Sequence, residues 1–166
     1  MNILVFPDGT VEWRGERVPC ALGRAGVTDN KHEGDGATPA GCFPLRRVFY
    51  RPDRCEPPRT VLEVTPLDPL DAWCDDPNDP CYNTFVRQPC RASFELLWRD
   101  DSLYDIVVPL GYNDDPVAPG AGSAIFLHIA RPDFSPTQGC VAVNRELLLR
   151  ILAECAAETR LCVRPA

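Results

Sequence analysis

The chain alternates short apolar runs with turns rich in glycine, proline, aspartate and asparagine. Short apolar runs bounded by turn residues predict strands. The predicted strands cover residues 1–6, 10–18, 42–50, 60–64, 103–110 and 123–129. Because turns separate them at short spacing, we expect a mainly antiparallel β-sandwich or barrel.

One helix is predicted near the C-terminus. Asn144 can cap its first turn, and residues 145–157 carry an apolar stripe of helical period. A last short strand is predicted over 160–164. Residues 68–83 are rich in Asp, Pro and Asn, so we expect a long ordered loop or an insertion there.

The length of 166 residues suits a single domain that spans residues 1–166. The chain carries 17 basic and 24 acidic residues, and this acidic balance argues against a nucleic-acid partner. No stretch approaches the roughly 20 apolar residues of a membrane span. The start, MNILVF, lacks the basic segment of an export leader, so we expect a cytoplasmic protein without a membrane partner. The oligomeric state is left open.

Nine cysteines raise the question of disulfides. We favour free thiols, because disulfides belong to oxidising compartments and no export leader is visible. The chain has no C-x-x-C pair, which argues against structural zinc. The aspartates of residues 68–83 lack the ligand spacing of a calcium loop. We therefore expect neither a metal nor a cofactor.

The segment FLHIARPDFSPTQGCVAV, residues 126–143, holds the candidate chemistry. Cys140 follows Gly139, whose missing side chain lets the backbone approach a substrate carbonyl closely. The N–H groups of Gly139 and Cys140 could form an oxyanion hole, and His128 at a strand end could be the base. The alternative is a buried thiol near a core histidine. The other histidine, His32, lies among charged residues and is expected to be solvated.

Two motifs carry a resemblance to a known family. TQGCV at residues 137–141, with His128 upstream, resembles the signature of the YkuD-type L,D-transpeptidase catalytic domain. The stretch EGDGATPAGCFPL at residues 33–45 is similar to a second, glycine- and proline-containing motif of that family. The resemblance covers roughly residues 25 to 145.

The resemblance implies a β-sandwich-like domain that transfers acyl groups through a thioester. It makes Cys140 the nucleophile and His128 the base, with the imidazole oriented by a backbone carbonyl. Gly139 and Cys140 would supply oxyanion N–H groups, and Thr137 would support the loop or donate a hydrogen bond. The implied substrate is the tetrapeptide stem of peptidoglycan or a muropeptide, cleaved before its terminal D-alanine.

This sequence departs from the family pattern in three ways. Gln138 stands where many members have histidine, and Ala142 where many have arginine. The segment between His128 and Cys140 is also short. Another cation must then meet the substrate carboxylate. The candidates are Arg131, Arg24 and Lys31; Lys31 is better explained as a solvated surface charge.

Aromatic and polar residues of the segment 68–83 are further candidates for substrate binding. Trp73 and Tyr82 could wall a groove, and Asp76 or Asn83 could bind ammonium or amide groups of a peptide. The alternative is a loop fixed by its prolines and Asx turns.

The motif does not decide which acceptor resolves the thioester. Water would give L,D-carboxypeptidase activity, and an amine would give transpeptidation. We favour the carboxypeptidase, acting on recycled tetrapeptides in the cytoplasm, because no leader or anchor is visible. Alternatives are an L,D-transpeptidase, a different cysteine hydrolase, or a muropeptide-binding protein without activity.

Overall fold

The computed structural model describes residues 1–166 as a β-rich domain with one short helix. The helix α1 spans Arg145–Glu154. The strands are β1 (Ile3–Phe6), β2 (Thr10–Trp13), β3 (Glu16–Pro19), β4 (Val27–Thr28), β5 (Thr38–Pro39), β6 (Gly41–Pro44), β7 (Val48–Tyr50), β8 (Val64–Pro66), β9 (Asp71–Cys74), β10 (Phe85–Arg87), β11 (Phe94–Leu96), β12 (Ile106–Pro109), β13 (Phe126–Ile129), β14 (Val141–Val143) and β15 (Arg160–Val163). The prediction of a mainly β, sandwich-like fold is confirmed.

Two five-stranded sheets form the body of the fold. One has the order β3-β2-β1-β15-β6, and the other the order β14-β13-β12-β7-β8. A core cluster of 22 buried residues joins the facing sides of both sheets and α1. A three-stranded sheet, β10-β9-β11, and a short β4-β5 pair complete the structure. Several pairs are parallel, among them β1 with β15 and β13 with β14.

The two faces of β13 belong to different apolar clusters. Leu127 and Ile129 lie in the large core. Phe126 lies in a second cluster of 8 buried residues, which also contains Cys140 and Tyr104. Since successive side chains of a strand point to opposite faces, His128 shares the face of Phe126.

All the predicted strands are shorter in the structure, and three of them are divided or largely lost. The run 10–18 turns back at Arg14 and Gly15, both with positive φ, and forms the hairpin β2-β3. The run 42–50 divides into β6 and β7, which belong to different sheets. The run 60–64 contributes only its last residue, Val64, to β8. In the first two cases the change of direction falls at polar residues inside the predicted run, at Arg14 and Gly15 and at Arg46 and Arg47.

The prediction of a loop over 68–83 is wrong for its first part. Residues 71–74 form β9, the central strand of the three-stranded sheet. Ala72 and Cys74 are fully buried, and Asp71 is 4% exposed. The aspartates and prolines that predicted a loop flank this strand rather than fill it.

The predicted N-cap of the helix matches the structure. The Asn144 side chain accepts a hydrogen bond from the N–H of Leu147 at 2.7 Å. The helix ends at Glu154 instead of residue 157, because Cys155 is extended at ψ 155°. At 10 residues it is too short to cross a membrane, and no other helix exists.

One cysteine pair corrects the expectation that all the thiols are free. Cys42 on β6 and Cys162 on β15 are opposed across two antiparallel strands and form a disulfide. Their sequence separation of 120 residues hides this pairing from local inspection of the chain. The seven other cysteines, including Cys140, are free.

Candidate functional site

The parallel pairing of β13 and β14 brings the histidine and the cysteine together. Leu127 is opposite Val141, and His128 is opposite Ala142. Cys140 directly precedes β14, so its side chain lies on the face that carries Phe126 and His128. Residues 130–140 connect the end of β13 to the start of β14.

The Cys140 thiol is buried and hydrogen bonded to backbone groups of the neighbouring strand. Sγ accepts from the N–H of Phe126 at 3.4 Å and donates to the carbonyl of Ala124 at 3.2 Å. Burial raises the pKa of this thiol to about 12, and the carboxylate of Glu95 adds to the effect. The cysteine is therefore protonated before substrate binds.

A backbone carbonyl orients the His128 ring. Nδ1 lies 2.9 Å from the carbonyl oxygen of Ile129. A carbonyl can only accept a hydrogen bond, so Nδ1 carries the proton and Nε2 of the neutral ring has a free lone pair. Burial lowers the pKa of His128 to about 4, which keeps the imidazole neutral. Nε2 is thus available as a base.

Thr137 and Gly139 shape the loop before the thiol. Thr137 Oγ1 donates to the carbonyl of Cys140 at 2.7 Å and accepts from the N–H of Gly139 at 3.1 Å. The Gly139 N–H is thus engaged, which corrects its expected place in an oxyanion hole. The N–H of Cys140 has no partner in the protein and is the donor that remains.

The second motif holds this loop from the other side. Gly139 has a φ of 138°, and a Cβ there would lie 2.9 Å from the Ala37 carbonyl oxygen. Thr38 Oγ1 accepts from the N–H of Gly23 at 2.9 Å, and Gly23 forms a β-bridge with Thr137. Residues 33–45 therefore set the position of the cysteine loop.

A cavity of about 460 Å³ opens beside the thiol and the imidazole. Residues of both motifs, of the three-stranded sheet and of the loop 130–139 line it. Its charged lining residues are Lys31, Arg99, Arg131, Glu33, Asp75 and Glu95. No group of three or more His, Cys, Asp or Glu side chains is arranged to hold a metal ion. The mixed charges suit a ligand that carries both carboxylates and ammonium groups.

Two candidate cations line this cavity, and the third does not. Arg131 is half exposed, and its guanidinium lies 3.8 Å from the carboxylate of Asp101. The Lys31 side chain is only 5% exposed and pairs with Asp35, so its interpretation as a solvated charge is wrong. Arg24 is exposed, lies beside Gly36 and is outside the cavity.

Asn83 and Tyr82 are buried structural residues rather than substrate contacts. Asn83 is 5% exposed and makes four hydrogen bonds to other parts of the chain. Tyr82 is 2% exposed, donates to Glu33 and accepts from the N–H of Gly122 at 3.0 Å. Both predictions are corrected for the same reason, since no polar atom of either side chain is left for a ligand.

Trp73 and Asp76 also lie outside the cavity lining. Trp73 packs edge-on against Phe126, with 5.2 Å between ring centroids, and supports the face that carries the thiol. Asp76 accepts from the N–H of Asn78 at 2.9 Å in an exposed turn. The neighbouring Asp75 lines the cavity instead, and its Oδ1 is buried without a hydrogen bond.

Sequence reasoning missed three residues of the cavity wall. Tyr104 lies with its ring centroid 5.1 Å from that of His128 and donates a hydrogen bond to Glu95. Arg99 lies with its guanidinium carbon 5.0 Å from the Tyr104 ring centroid. The local sequence carries no motif for them, because their position depends on how the three-stranded sheet packs against β13.

Comparison with known proteins identifies the family. The chain is similar in structure to the helical cell shape determining protein Pgp2 from Campylobacter jejuni and to its K307A mutant, each at a TM-score of 0.48 and 15% identity. Each match covers 99% of this chain but 47% of the solved chain, so this chain spans about half of their length. No match is found among the curated proteins. The family model of the L,D-transpeptidase catalytic domain matches residues 1–163, and the chain therefore belongs to the YkuD family.

Proposed function

We propose that this domain is a cysteine-dependent acyltransferase acting on peptidoglycan tetrapeptide stems, with L,D-carboxypeptidase as its main activity. The single observation that carries this proposal is the geometry at the cavity. A free thiol, a carbonyl-oriented neutral imidazole and an unpaired backbone N–H meet at one wall. Membership of the YkuD family supports peptidoglycan as the substrate.

In the proposed reaction Cys140 Sγ attacks the carbonyl carbon before the terminal D-alanine. The thiol exchanges its hydrogen bond with the Ala124 carbonyl for one with His128 Nε2, which takes the proton. The Cys140 N–H stabilises the oxyanion. His128 then returns the proton to the departing amine, D-alanine leaves, and a thioester remains on Cys140.

The size of the cavity favours a small acceptor over a second stem peptide. At about 460 Å³ it lies in the lower part of the range of about 300–1,000 Å³ for ligand pockets. Such a space suits the end of one stem peptide with a water or small amine beside it. A second stem peptide would have to extend beyond the cavity, which disfavours cross-linking. Trimming of small recycled muropeptides is the role that we propose for this activity.

Charged residues of the wall supply the proposed substrate contacts. Lys31 and Arg131 line the cavity, and we propose that they bind the terminal carboxylate in the absence of an arginine at position 142. The unpaired Oδ1 of Asp75 supports a contact with an ammonium group of the third stem residue. In this proposal Asp75 takes the role expected of Asp76 or Asn83.

Mass spectrometry of the products in H₂¹⁸O tests the proposal. The substrate is a purified disaccharide-tetrapeptide, with and without a D-amino-acid acceptor, and Cys140→Ala is the control. We expect a tripeptide that carries one ¹⁸O in its new carboxylate, even with the acceptor present. Replacement of D-alanine by the acceptor, or dimer formation, would identify a transpeptidase instead. If the tetrapeptide stays intact, the protein is a muropeptide-binding protein without activity.

A further inference from the structure

Tyr104 fills the space between the catalytic face of β13 and the three-stranded sheet. It is 4% exposed, and its ring packs edge-on against Phe126 and His128, with 5.8 and 5.1 Å between centroids. These aromatic contacts fix the direction of the ring. Its hydroxyl donates to Oε1 of Glu95 on β11.

Tyr104 and Cys140 pack in the same buried cluster and line the same cavity. A hydrogen bond from the Tyr104 hydroxyl to Sγ favours the thiolate and lowers the pKa of Cys140. Glu95 acts in the opposite sense, because its negative charge opposes a second negative charge on Sγ. The hydroxyl has one proton to donate, and Glu95 holds it. While the Tyr104 hydroxyl is bonded to Glu95, it cannot also donate to a thiolate at Cys140.

Few other charged or titratable groups face this thiol. His128 lies on the adjacent strand and is neutral, and the Lys31 ammonium, which lines the same cavity, favours the thiolate. Asp35 pairs with Lys31 and offsets part of its effect. The Arg99 guanidinium, 5.0 Å from the Tyr104 ring centroid, offsets part of the charge of Glu95. The groups that compete for the hydroxyl proton are thus the carboxylate of Glu95 and the sulfur.

We propose that Tyr104 is a positioning residue for the nucleophile, and that Glu95 restrains it by holding its hydroxyl away from Cys140. When Glu95 releases the hydroxyl, the Tyr104 O–H donates to Sγ while the thiol proton moves to His128 Nε2. No bond to Tyr104 forms or breaks. The activity of the nucleophile then depends on a carboxylate that does not touch the sulfur.

Alkylation of Cys140 by iodoacetamide measures this effect without any substrate. Cys140 is the single cysteine of the tryptic peptide 100–145, so its labelling is followed by mass spectrometry. Cys90, alone in the peptide 88–91, is the internal standard in the same digest. At fixed pH, well below the pKa, a pKa lower by one unit gives about tenfold faster alkylation.

A double-mutant cycle separates the restraint from a general change in charge. We expect Glu95→Ala to speed the alkylation about tenfold at pH 8 and Tyr104→Phe to slow it about threefold. In the Tyr104→Phe background, Glu95→Ala is expected to speed it no more than about threefold. An equal gain in both backgrounds would overturn the proposal, since the hydroxyl would then have no part in the effect.

Two controls keep the cycle interpretable. Glu33→Gln removes the charge of another carboxylate of the same cavity, leaves the Tyr104–Glu95 bond intact and is expected to change the rate less than twofold. N-ethylmaleimide is bulkier than iodoacetamide, so a change in access would alter the two rates by different factors. If Glu95→Ala does not fold, Glu95→Gln tests the loss of charge and is expected to give an intermediate gain.

The kinetic readout rests on the proposed function, whereas the alkylation does not. With the tetrapeptide substrate, Tyr104→Phe is expected to lower kcat about tenfold and to change KM less than twofold. A large increase in KM at constant kcat would contradict the positioning role. If the tetrapeptide is not a substrate but the alkylation cycle behaves as expected, the proposed function fails and the inference about Tyr104 stands.

Discussion

Replacing Asn83 with alanine tests whether this residue builds the site or binds the substrate. Its Oδ1 accepts from Trp73 Nε1 at 2.9 Å and from the N–H of Ala124 at 3.0 Å. Its Nδ2 donates to the carbonyls of Tyr112 and Asn113 at 3.0 and 2.8 Å. One buried amide thus joins the three-stranded sheet to the segment that precedes β13.

The expected loss of stability follows from these four hydrogen bonds. A buried polar group that loses its partner costs about 1–3 kcal/mol, and the alanine variant leaves two donors and two acceptors unpaired. Local relaxation recovers part of this cost, so we expect the free energy of unfolding to fall by about 3–5 kcal/mol. Asn83 also has a φ of 57°, a left-handed conformation that asparagine tolerates better than alanine.

Urea unfolding measures this loss, and two further variants separate its causes. Asn83→Gly removes the side chain but accepts the left-handed backbone, so it isolates the hydrogen-bond contribution. Asp76→Ala removes an exposed turn contact in the same segment and is expected to change stability by less than about 1 kcal/mol. An Asn83→Ala protein of unchanged stability whose KM for the tetrapeptide rises would refute this reasoning and restore Asn83 as a substrate contact.

Three further predictions concern the site itself. Burial lowers the pKa of His128 to about 4, so we expect kcat/KM to stay constant as the pH falls, until it approaches that value. A decrease of kcat/KM with a midpoint near pH 6.5 would contradict this. Gly139→Ala sets a Cβ against the Ala37 carbonyl at a φ of 138°, and we expect at least about a hundredfold loss of kcat/KM with about 2 kcal/mol less stability in urea. Lys31→Met removes the salt bridge to Asp35, whose carboxylate keeps its two backbone hydrogen bonds. We expect this variant to raise KM for a stem ending in a free carboxylate more than for its amide, as steady-state kinetics of the two substrates would show.

The local part of the candidate site could be predicted from the sequence. Once Phe126–Ile129 is assigned as a strand, its successive side chains point to opposite faces of the sheet. Which side chains share a face then follows without information from distant residues. The same holds for the loop at Thr137–Cys140, where the glycine is required by a φ of 138°. Asn144 likewise caps α1 through contacts within one turn.

The walls of the cavity could not be predicted in this way. β9 is a four-residue strand between segments rich in Asp and Pro, and its register with β10 and β11 depends on residues up to 96. The burial of Lys31 depends on packing against Gly122, far along the chain. The Cys42–Cys162 disulfide depends on strands 120 residues apart. All of these features depend on contacts between residues far apart in the sequence, about which local hydrophobicity carries no information.

The burial of Cys140 and His128 also constrains the order of events in the reaction. A thiolate–imidazolium pair formed before attack would place two charges in a site where burial disfavours both charged forms. Proton transfer from Sγ to Nε2 is therefore expected to accompany attack on the carbonyl, when the negative charge passes to an oxyanion beside the Cys140 N–H. Sulfur carries partial negative charge while its proton moves, so a hydrogen bond to Sγ lowers this barrier. Under the inference drawn above, the hydroxyl of Tyr104 supplies that hydrogen bond once Glu95 releases it.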